Sequence, residues 1–263
     1  MRINGDFVRL LQEAMRAGRE TALTWRLVGL PGTVRWLGGA VAAAPTVVRT
    51  RSLAPADRAL GSAFTIRADG YRFRLRDAEF GICREIFGHD CYGLRPLRGK
   101  LRTVIDLGCN CGAFTLLAAR LNPDCQILAV DAKAAFTAAT LRNAAANHMR
   151  DRETAVTALV GTAEVDSIQE LVNAGSCVDR FDPAVAIEQL GGCDFLKCDV
   201  EGGEHALFGG DLDWLRRVRR LAIEYHWDRE DGERLAQSLH AAGFRVELRP
   251  HGRLGYVFAV VDR

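Results

Sequence analysis

The sequence predicts an α/β fold: a mostly parallel seven-stranded sheet with a C-terminal antiparallel hairpin, preceded by an N-terminal helical extension. Strand-like and helix-like segments alternate from residue 103 onward, and this alternation is typical of a parallel sheet. The last two strand-like segments, 244–249 and 254–261, are joined by a short turn around Gly252, as in an antiparallel hairpin. The 263 residues suffice for one α/β domain of about 200 residues and an appendage.

The first 60 residues form the predicted helical extension, and residues 61–263 form the predicted main domain. Apolar residues at helical spacing predict an amphipathic helix over 6–18, ending near Gly18. The apolar stretch 21–48 is a poor transmembrane helix, because arginines, glycines and a proline interrupt it.

The tryptophans of that stretch, Trp25 and Trp36, are flanked by arginines. They suit a helical cap packed on the core, a substrate lid, a homodimer contact or a weak contact with a membrane surface. The sequence leaves these alternatives open.

The elements of the main domain follow in order. Alternation around Asp69-Gly70 predicts a β-hairpin over 64–75. Polar residues and Asp182-Pro183 predict a short helix and then a loop within 162–190. The other predicted elements are strands at 103–108, 126–131, 156–160, 194–199 and 220–226, and helices at 112–121, 134–148, 203–217 and 229–242.

The turn after the first of these strands has the features of a cofactor site. It reads Asp106-Leu-Gly108-Cys109-Asn110-Cys-Gly112, and glycine allows backbone to approach a ligand closely where no Cβ intervenes. The turn is neither the dinucleotide fingerprint nor a phosphate loop. It therefore favours a cofactor without phosphates.

An acid stands at the distance expected for a ribose contact. Asp131 ends the apolar strand 126–131, about twenty residues after the glycine turn, where an acid accepts hydrogen bonds from ribose hydroxyls. The chain thus predicts a ribose-containing ligand at two neighbouring strand ends.

Two later strands also end in polar clusters. Strand 194–199 leads into Asp199-Val-Glu201-Gly-Gly-Glu204-His205, and strand 220–226 ends in Glu224-Tyr-His226. Because side chains alternate along a strand, Glu224 and His226 share a face. These are the residue types that general acid-base chemistry requires.

Together the four segments resemble the FkbM family of class I S-adenosylmethionine-dependent methyltransferases. The family pattern is an aspartate, an apolar residue, Glu-Gly, a small residue and Glu, followed later by a strand ending Glu-x-His. Gly203 stands where alanine is usual, and Cys109 and Cys111 replace an alanine and an apolar residue. Glu85-Ile-Phe and Tyr92 also resemble the family, so the resemblance runs from about Phe64 to the C-terminus.

The resemblance implies a Rossmann-like fold that binds S-adenosyl-L-methionine and releases S-adenosyl-L-homocysteine. The methionine part is expected over Gly108–Gly112 and the ribose at Asp131. The implied cofactor-binding residues are Asp106, Gly108, Cys109, Asn110, Gly112, Asp131, Ala132, Thr162, Ala163 and Asp199.

The expected acceptor-side cluster is Asp199, Glu201, Glu224 and His226. In this hypothesis His226 takes the acceptor's proton and Glu224 orients its ring or stabilises the imidazolium. The alternative for this pair is bonding to backbone at a strand end. Asp199 and Glu201 bind the acceptor, act as base, or hold a divalent cation, while Glu204 is also placed to cap the following helix.

The expected function is O-methylation of a hydroxyl on a sugar, glycolipid or secondary metabolite. N-methylation of an amine or small peptide is the alternative enzyme function, and a non-catalytic cofactor-binding protein is a third reading. An oxidoreductase is disfavoured because the third glycine of the dinucleotide fingerprint is missing.

Composition limits the partners. With 35 basic and 33 acidic residues the net charge is +2, too small for a dedicated nucleic-acid binder, so a small-molecule acceptor is expected. Eight cysteines spread through a large domain indicate reduced thiols and a cytoplasmic protein. Their spacings, C-x-C and C-x4-C, do not predict a zinc site.

Overall fold

The structure is a computed structural model that describes residues 5–161, 179–226, 229–251 and 254–261. The chain divides into two compact units, Met1–His89 and Asp90–Arg263. The sequence predicted a domain boundary after residue 60, which would place the β-hairpin in the main domain. That domain boundary stays a prediction.

The first unit contains four helices and a hairpin in its described part. In chain order these are α1 (Gly5–Ala42), α2 (Ala44–Thr50), α3 (Ala54–Arg58), β1 (Phe64–Ala68), β2 (Tyr71–Leu75) and α4 (Phe80–Cys83), which runs into a π-helical turn at Arg84–His89. The predicted hairpin is confirmed: Ala68 pairs with Tyr71, and Asp69 and Gly70 have φ of 54° and 83°, as a two-residue type I′ turn requires.

The helix predicted to end near Gly18 extends much further, and that prediction is wrong. α1 continues to Ala42 and is broken at Gly29, where φ is 72°, two residues before Pro31. The exposed Gly18 costs the helix only about 1 kcal/mol. The buried Leu27, which follows Gly18 in the helix, supplies packing that outweighs this cost.

A buried polar network holds α1 to its neighbours. The Trp36 indole N–H donates to Asp57 Oδ1 at 2.8 Å, and Arg84 pairs with Asp57 Oδ2 at 3.2 Å and with Glu20. Because a buried charge left without its partner is costly, this network fixes which face of α1 is turned inward.

Within the described ranges, no single helix has the length and hydropathy needed to cross a membrane. The segments Met15–Ala42 and Ala44–Thr50 meet the criterion only when taken together, and they are bent by 80° at the break between them.

The second unit is built on a seven-stranded sheet. Its strands are β3 (Thr103–Leu107), β4 (Gln126–Asp131), β5 (Glu153–Thr157), β8 (Phe195–Cys198), β9 (Arg220–Tyr225), β10 (Arg245–His251) and β11 (Leu254–Val260). The order is β10-β11-β9-β8-β3-β4-β5, with β11 antiparallel to β9 and β10 and the remaining pairs parallel. The predicted sheet with its C-terminal hairpin is confirmed.

The connecting helices are α5 (Ala113–Leu121), α6 (Ala134–Ala146), α7 (Pro183–Gln189), α8 (Glu204–Phe208) and α9 (Arg229–Ala241). One of these helices is shorter than predicted. The helix predicted over 203–217 is α8 followed by a separate 3₁₀ turn at Asp213–Arg217, since Gly209 and Gly210 disfavour a continuous helix.

The strand predicted at 156–160 is divided between two sheets. β5 ends at Thr157, and β6 (Leu159–Val160) pairs instead with β7 (Arg180–Phe181). The Ala158 N–H between them still donates to the Asp131 carbonyl at 3.0 Å. The mostly apolar run 156–160 could not indicate this change of partner.

Replacing Glu153 by Gln is expected to stabilise the protein at alkaline pH. Glu153 is 3 % exposed, its carboxylate oxygens have no hydrogen-bond partner among the described residues, and burial raises its pKa to about 8. A raised folded-state pKa means that wild-type stability falls as pH rises from about 4.5 to about 8. At pH 8.5 the variant should be more stable by about 2–5 kcal/mol, with the difference vanishing at pH 4.

Urea unfolding at both pH values measures this effect, with the exposed Glu188→Gln as the matched control. Equal pH dependence in wild type and Glu153→Gln would show that the carboxylate is not desolvated.

Candidate active site

The glycine turn lies where β3 and β8 end side by side. Gly108 has φ of 76°, and a Cβ there would stand 1.7 Å from the carbonyl oxygen of Asp199. The Asp199 N–H donates to the Leu107 carbonyl at 3.0 Å. Gly112 has φ of 80°, and its Cβ would stand 2.9 Å from the Thr140 side chain. Only glycine is compatible with both positions.

Asp131 connects this turn to the end of β4. Its Oδ2 accepts the Asn110 N–H at 3.0 Å and its Oδ1 accepts the Lys133 N–H at 2.9 Å, while burial raises its pKa. Thr140 Oγ1 donates to the Asn110 carbonyl at 3.0 Å and lies 3.4 Å from Cys109 Sγ. The turn is therefore held rigidly beside the proposed ribose acid.

The structure brings together most of the predicted cofactor-binding residues. Those at the ends of β3, β4 and β8 are Gly108, Cys109, Asn110, Gly112, Asp131, Ala132 and Asp199. Thr162 and Ala163 lie outside the described residues. Asp106 is fully buried, with its carboxylate bonded to the Thr115 hydroxyl at 2.7 Å, so its side chain faces the protein interior, and direct cofactor contact stays a prediction.

Lys197 is a site residue that the sequence reasoning missed. It is 3 % exposed, and its Nζ lies 3.2 Å from Asp106 Oδ1 and 3.7 Å from Asp199 Oδ2. It also donates to the carbonyls of Leu107 and Gly108 at 3.2 and 2.5 Å. Burial alone would lower its pKa, but the two carboxylates raise it overall.

The signal for Lys197 was present in the sequence. A lysine inside the buried strand β8 must find anions, because burying an unpaired ammonium is prohibitively costly. The sequence also shows its two partners, Asp106 near the end of β3 and Asp199 directly after β8.

Tyr92 joins two acids of the cluster predicted on the acceptor side, Asp199 and Glu224. Its hydroxyl lies 3.0 Å from Asp199 Oδ2 and 2.8 Å from Glu224 Oε2. A phenol has a single proton to donate, so it cannot satisfy both carboxylates at once. Burial and the nearby Asp199 raise the pKa of Glu224 to about 7, and Glu224 therefore binds a proton near neutral pH.

His226 is surrounded by three acids. Its Nε2 lies 3.5 Å from Asp199 Oδ1 and 3.4 Å from Glu201 Oε2, and its Nδ1 lies 3.3 Å from Glu204 Oε1. Burial lowers the pKa of His226, but Glu204 and the other two carboxylates raise it to about 9. The ring is therefore an imidazolium at neutral pH.

Glu224 was expected to orient this ring or to stabilise the imidazolium; the structure places Glu204 against the ring instead, and stabilisation by Glu224 stays a prediction. Glu204 faces Nδ1, whereas Glu224 bonds to Tyr92. Glu204 is 2 % exposed and accepts the N–H groups of Val200 and Gly202, each at 3.0 Å. It thus braces the loop after β8 as well as the imidazole, a larger role than the helix cap considered from the sequence.

Three of these side chains also present donors for a metal ion. One ligand atom each from Asp199, Glu201 and His226 lies within 4.8 Å of the others. Two carboxylates and an imidazole are ligands that several divalent cations accept. Glu201, at φ of 51°, is the exposed member of the three.

The fold and site define a class of protein. The sheet order, with its antiparallel C-terminal hairpin, the glycine turn after β3 and the acid at the end of β4 are those of the Rossmann-like S-adenosylmethionine-dependent methyltransferases. Residues 177–246 match the methyltransferase FkbM domain. The resemblance to the FkbM family drawn from the sequence is confirmed.

Solved methyltransferase structures are similar to this chain at low sequence identity. An O-methyltransferase family protein from Burkholderia thailandensis is 16% identical with a TM-score of 0.47, over 69% of this chain and 57% of that one. The precorrin-6y C5,15-methyltransferase from Geobacter metallireducens is 13% identical with a TM-score of 0.45, over 66% and 88%. The human methyltransferase 10 domain containing protein is 18% identical with a TM-score of 0.43, over 69% and 77%.

The match thus spans little more than half of the Burkholderia thailandensis protein. No curated protein matches the chain.

Proposed function

We propose that the protein transfers a methyl group from S-adenosylmethionine to a hydroxyl oxygen of a small molecule, a sugar, glycolipid or secondary metabolite. The observation that carries the proposal is the pair of carboxylates, Asp199 and Glu224, joined by the Tyr92 hydroxyl at strand ends next to the glycine turn. Such a pair is suited to accept the proton that a hydroxyl loses on methylation.

The residues present fit the cofactor. Gly108 and Gly112, both at positive φ, let the turn pack closely against Asp199 and Thr140, and each oxygen of Asp131 has a further lone pair beyond its backbone bond. When bound, S-adenosylmethionine supplies an electrophilic methyl group. The protein's own contribution is to position the acceptor and remove its proton.

Glu224 is the proposed general base. A base works best when its pKa is near the working pH, and the pKa of Glu224 is about 7. We prefer Glu224 to Asp199 as the base, because the Asp199 carboxylate already has Tyr92, Lys197 and His226 around it. His226, expected from the sequence to be the base, is held as a cation by three acids, so we assign it the role of orienting Asp199 and Glu201.

Asp131 is expected to determine cofactor affinity. Replacing it by Ala removes the proposed ribose acceptor and the bonds to Asn110 and Lys133, so the dissociation constant for S-adenosylhomocysteine should rise at least about tenfold, since a hydrogen bond to a charged group contributes about 1.5–3 kcal/mol. Isothermal titration calorimetry measures it.

Asp131→Asn is the matched comparison, because its side chain retains one carbonyl acceptor of similar size. It should bind more tightly than the Ala variant. Unchanged affinity in Asp131→Ala would show that the ribose is bound elsewhere.

A divalent cation is the alternative means of activating the hydroxyl, favoured by the cluster of Asp199, Glu201 and His226. We propose the route without a metal, in which His226 keeps its proton. Dialysis against EDTA should then leave turnover within about twofold of its starting value, a change under 0.5 kcal/mol in barrier. A loss that Mg²⁺ or Mn²⁺ restores would assign the metal to these three residues.

N-methylation is the second candidate, because the same acids also suit a cationic amine. The experiment that separates the two measures S-adenosylhomocysteine released with panels of hydroxyl-bearing and amine-bearing small molecules. The proposal predicts product only with hydroxyl acceptors, no activity on nucleic acid, and a protein that acts in the cytoplasm. Product formed only with amines would overturn it, and cofactor binding without product for any acceptor would support a non-catalytic role.

A further inference from the structure

The part of α1 that follows the break at Gly29 exposes an apolar stripe. Four residues spaced four, three and four apart share one helix face, with exposed fractions of 61, 59, 40 and 76 %: Leu30, Val34, Leu37 and Val41. The opposite face carries the buried Trp36, which is fixed by its bond to Asp57. The exposed stripe is therefore not the side that packs into the unit.

Further apolar side chains are exposed on either side of this part of α1. Trp25 is 60 % exposed before the break, and Val48 is 76 % exposed on α2. Contiguous exposed apolar surface marks an interaction site more often than scattered residues do. We call Leu30, Val34, Leu37 and Val41 the N-terminal stripe.

The charge around the N-terminal stripe has one sign. Residues 21–56 contain no aspartate or glutamate; they contain four arginines, all exposed: Arg26, Arg35, Arg49 and Arg51. The acids that flank this stretch, Glu20 and Asp57, are both in ion pairs with Arg84. The segment thus combines apolar residues, an exposed tryptophan and a net positive charge in its sequence.

We propose that the N-terminal stripe docks on the surface of a bilayer containing anionic lipid. An interfacial helix buries an apolar face at the headgroup boundary, and its arginines interact with anionic headgroups. Another copy of the chain is a poorer occupant, because it would bring the same arginines together with no acid within 21–56 to oppose them. Arg26 and Arg35, within the helical stretch itself, favour lying along the surface over crossing it.

Vesicle co-sedimentation tests the proposal with the full chain. The wild type should sediment with vesicles of phosphatidylcholine and phosphatidylglycerol and bind pure phosphatidylcholine much more weakly. The variant Leu30→Glu/Leu37→Glu should bind the anionic vesicles at least about tenfold more weakly, because it removes two apolar side chains from the interface. Raising NaCl to 1 M should weaken wild-type binding, since salt screens surface charge.

The control is Val185→Glu, an equally drastic change at a residue that is 49 % exposed on α7. It should bind vesicles like the wild type. Helix content by circular dichroism and S-adenosylhomocysteine affinity establish that each variant is folded, so that weak binding reports the surface itself.

Two outcomes would overturn the proposal. One is wild-type protein that stays in the supernatant with anionic vesicles at low salt. The other is a wild-type dimer, measured by light scattering, that Leu30→Glu/Leu37→Glu dissociates while vesicle binding is unchanged. Neither result bears on methyl transfer, which depends on the second unit.

Discussion

Replacing Gly108 by Ala is expected to destabilise the second unit by about 4 kcal/mol or more, at the severe end for a single substitution. The added Cβ would lie 1.7 Å from the Asp199 carbonyl oxygen, so the ends of β3 and β8 would have to separate. That movement would also disturb Lys197, which bonds to the Gly108 carbonyl at 2.5 Å. Urea unfolding and calorimetry with S-adenosylhomocysteine should show lost stability and lost cofactor binding together.

Gly99→Ala is the matched control. Gly99 has φ of 71°, close to the 76° of Gly108, but a Cβ there would meet nothing within 4 Å. The Gly99→Ala variant therefore measures only the cost of placing alanine in the left-handed backbone region, which is about 1–2 kcal/mol. If the two variants were equally stable, the strand ends would not be in the close contact that the structure describes.

Replacing Glu224 by Gln is expected to lower kcat by about 10²–10⁴-fold, the usual contribution of a general base. Glutamine preserves the shape of the side chain and an oxygen to accept the Tyr92 hydroxyl, but it cannot take a proton. Affinity for S-adenosylhomocysteine should stay within about twofold, because Glu224 lies outside the glycine turn. Steady-state kinetics with the acceptor found by the panel, and calorimetry, give the two values.

Three further variants sharpen this result. Glu188→Gln, at an exposed position of α7, should be neutral. Tyr92→Phe should retain part of the rate, because it removes the hydroxyl that joins Asp199 and Glu224 and leaves both acids in place. If His226→Gln lost the rate while Glu224→Gln kept it, the imidazole would be the base, as first expected from the sequence.

Much of the fold could be predicted because its signals are local. Apolar runs of five or six residues with helical segments between them indicated the parallel strands, and Asp69-Gly70 indicated a hairpin by its turn chemistry alone. The errors fall where a local pattern is outweighed by packing. α1 passes through Gly18 because residues beyond it are buried, and the run at 156–160 is divided because its two halves find different partner strands.

The site was predicted less completely than the fold. The sequence indicated which acids and which histidine end the strands, since strand ends are visible in the pattern. It paired His226 with Glu224 by their spacing, whereas Glu204, from the loop and helix after β8, occupies that place. Tyr92 and Lys197 were not assigned these roles, because both act through residues distant in the sequence.

The sequence by itself determined the α/β class, the glycine turn, the acid of β4 and the group of ionisable residues at the ends of β8 and β9. These depend on the period of side chains along the chain and on the backbone freedom of glycine, which are properties of neighbouring residues. The tertiary structure decided which acid faces which base, and it is this arrangement that charges His226 and raises the pKa of Glu224. Protonation depends on burial and on charges a few ångströms away, and no linear pattern of residues specifies those distances.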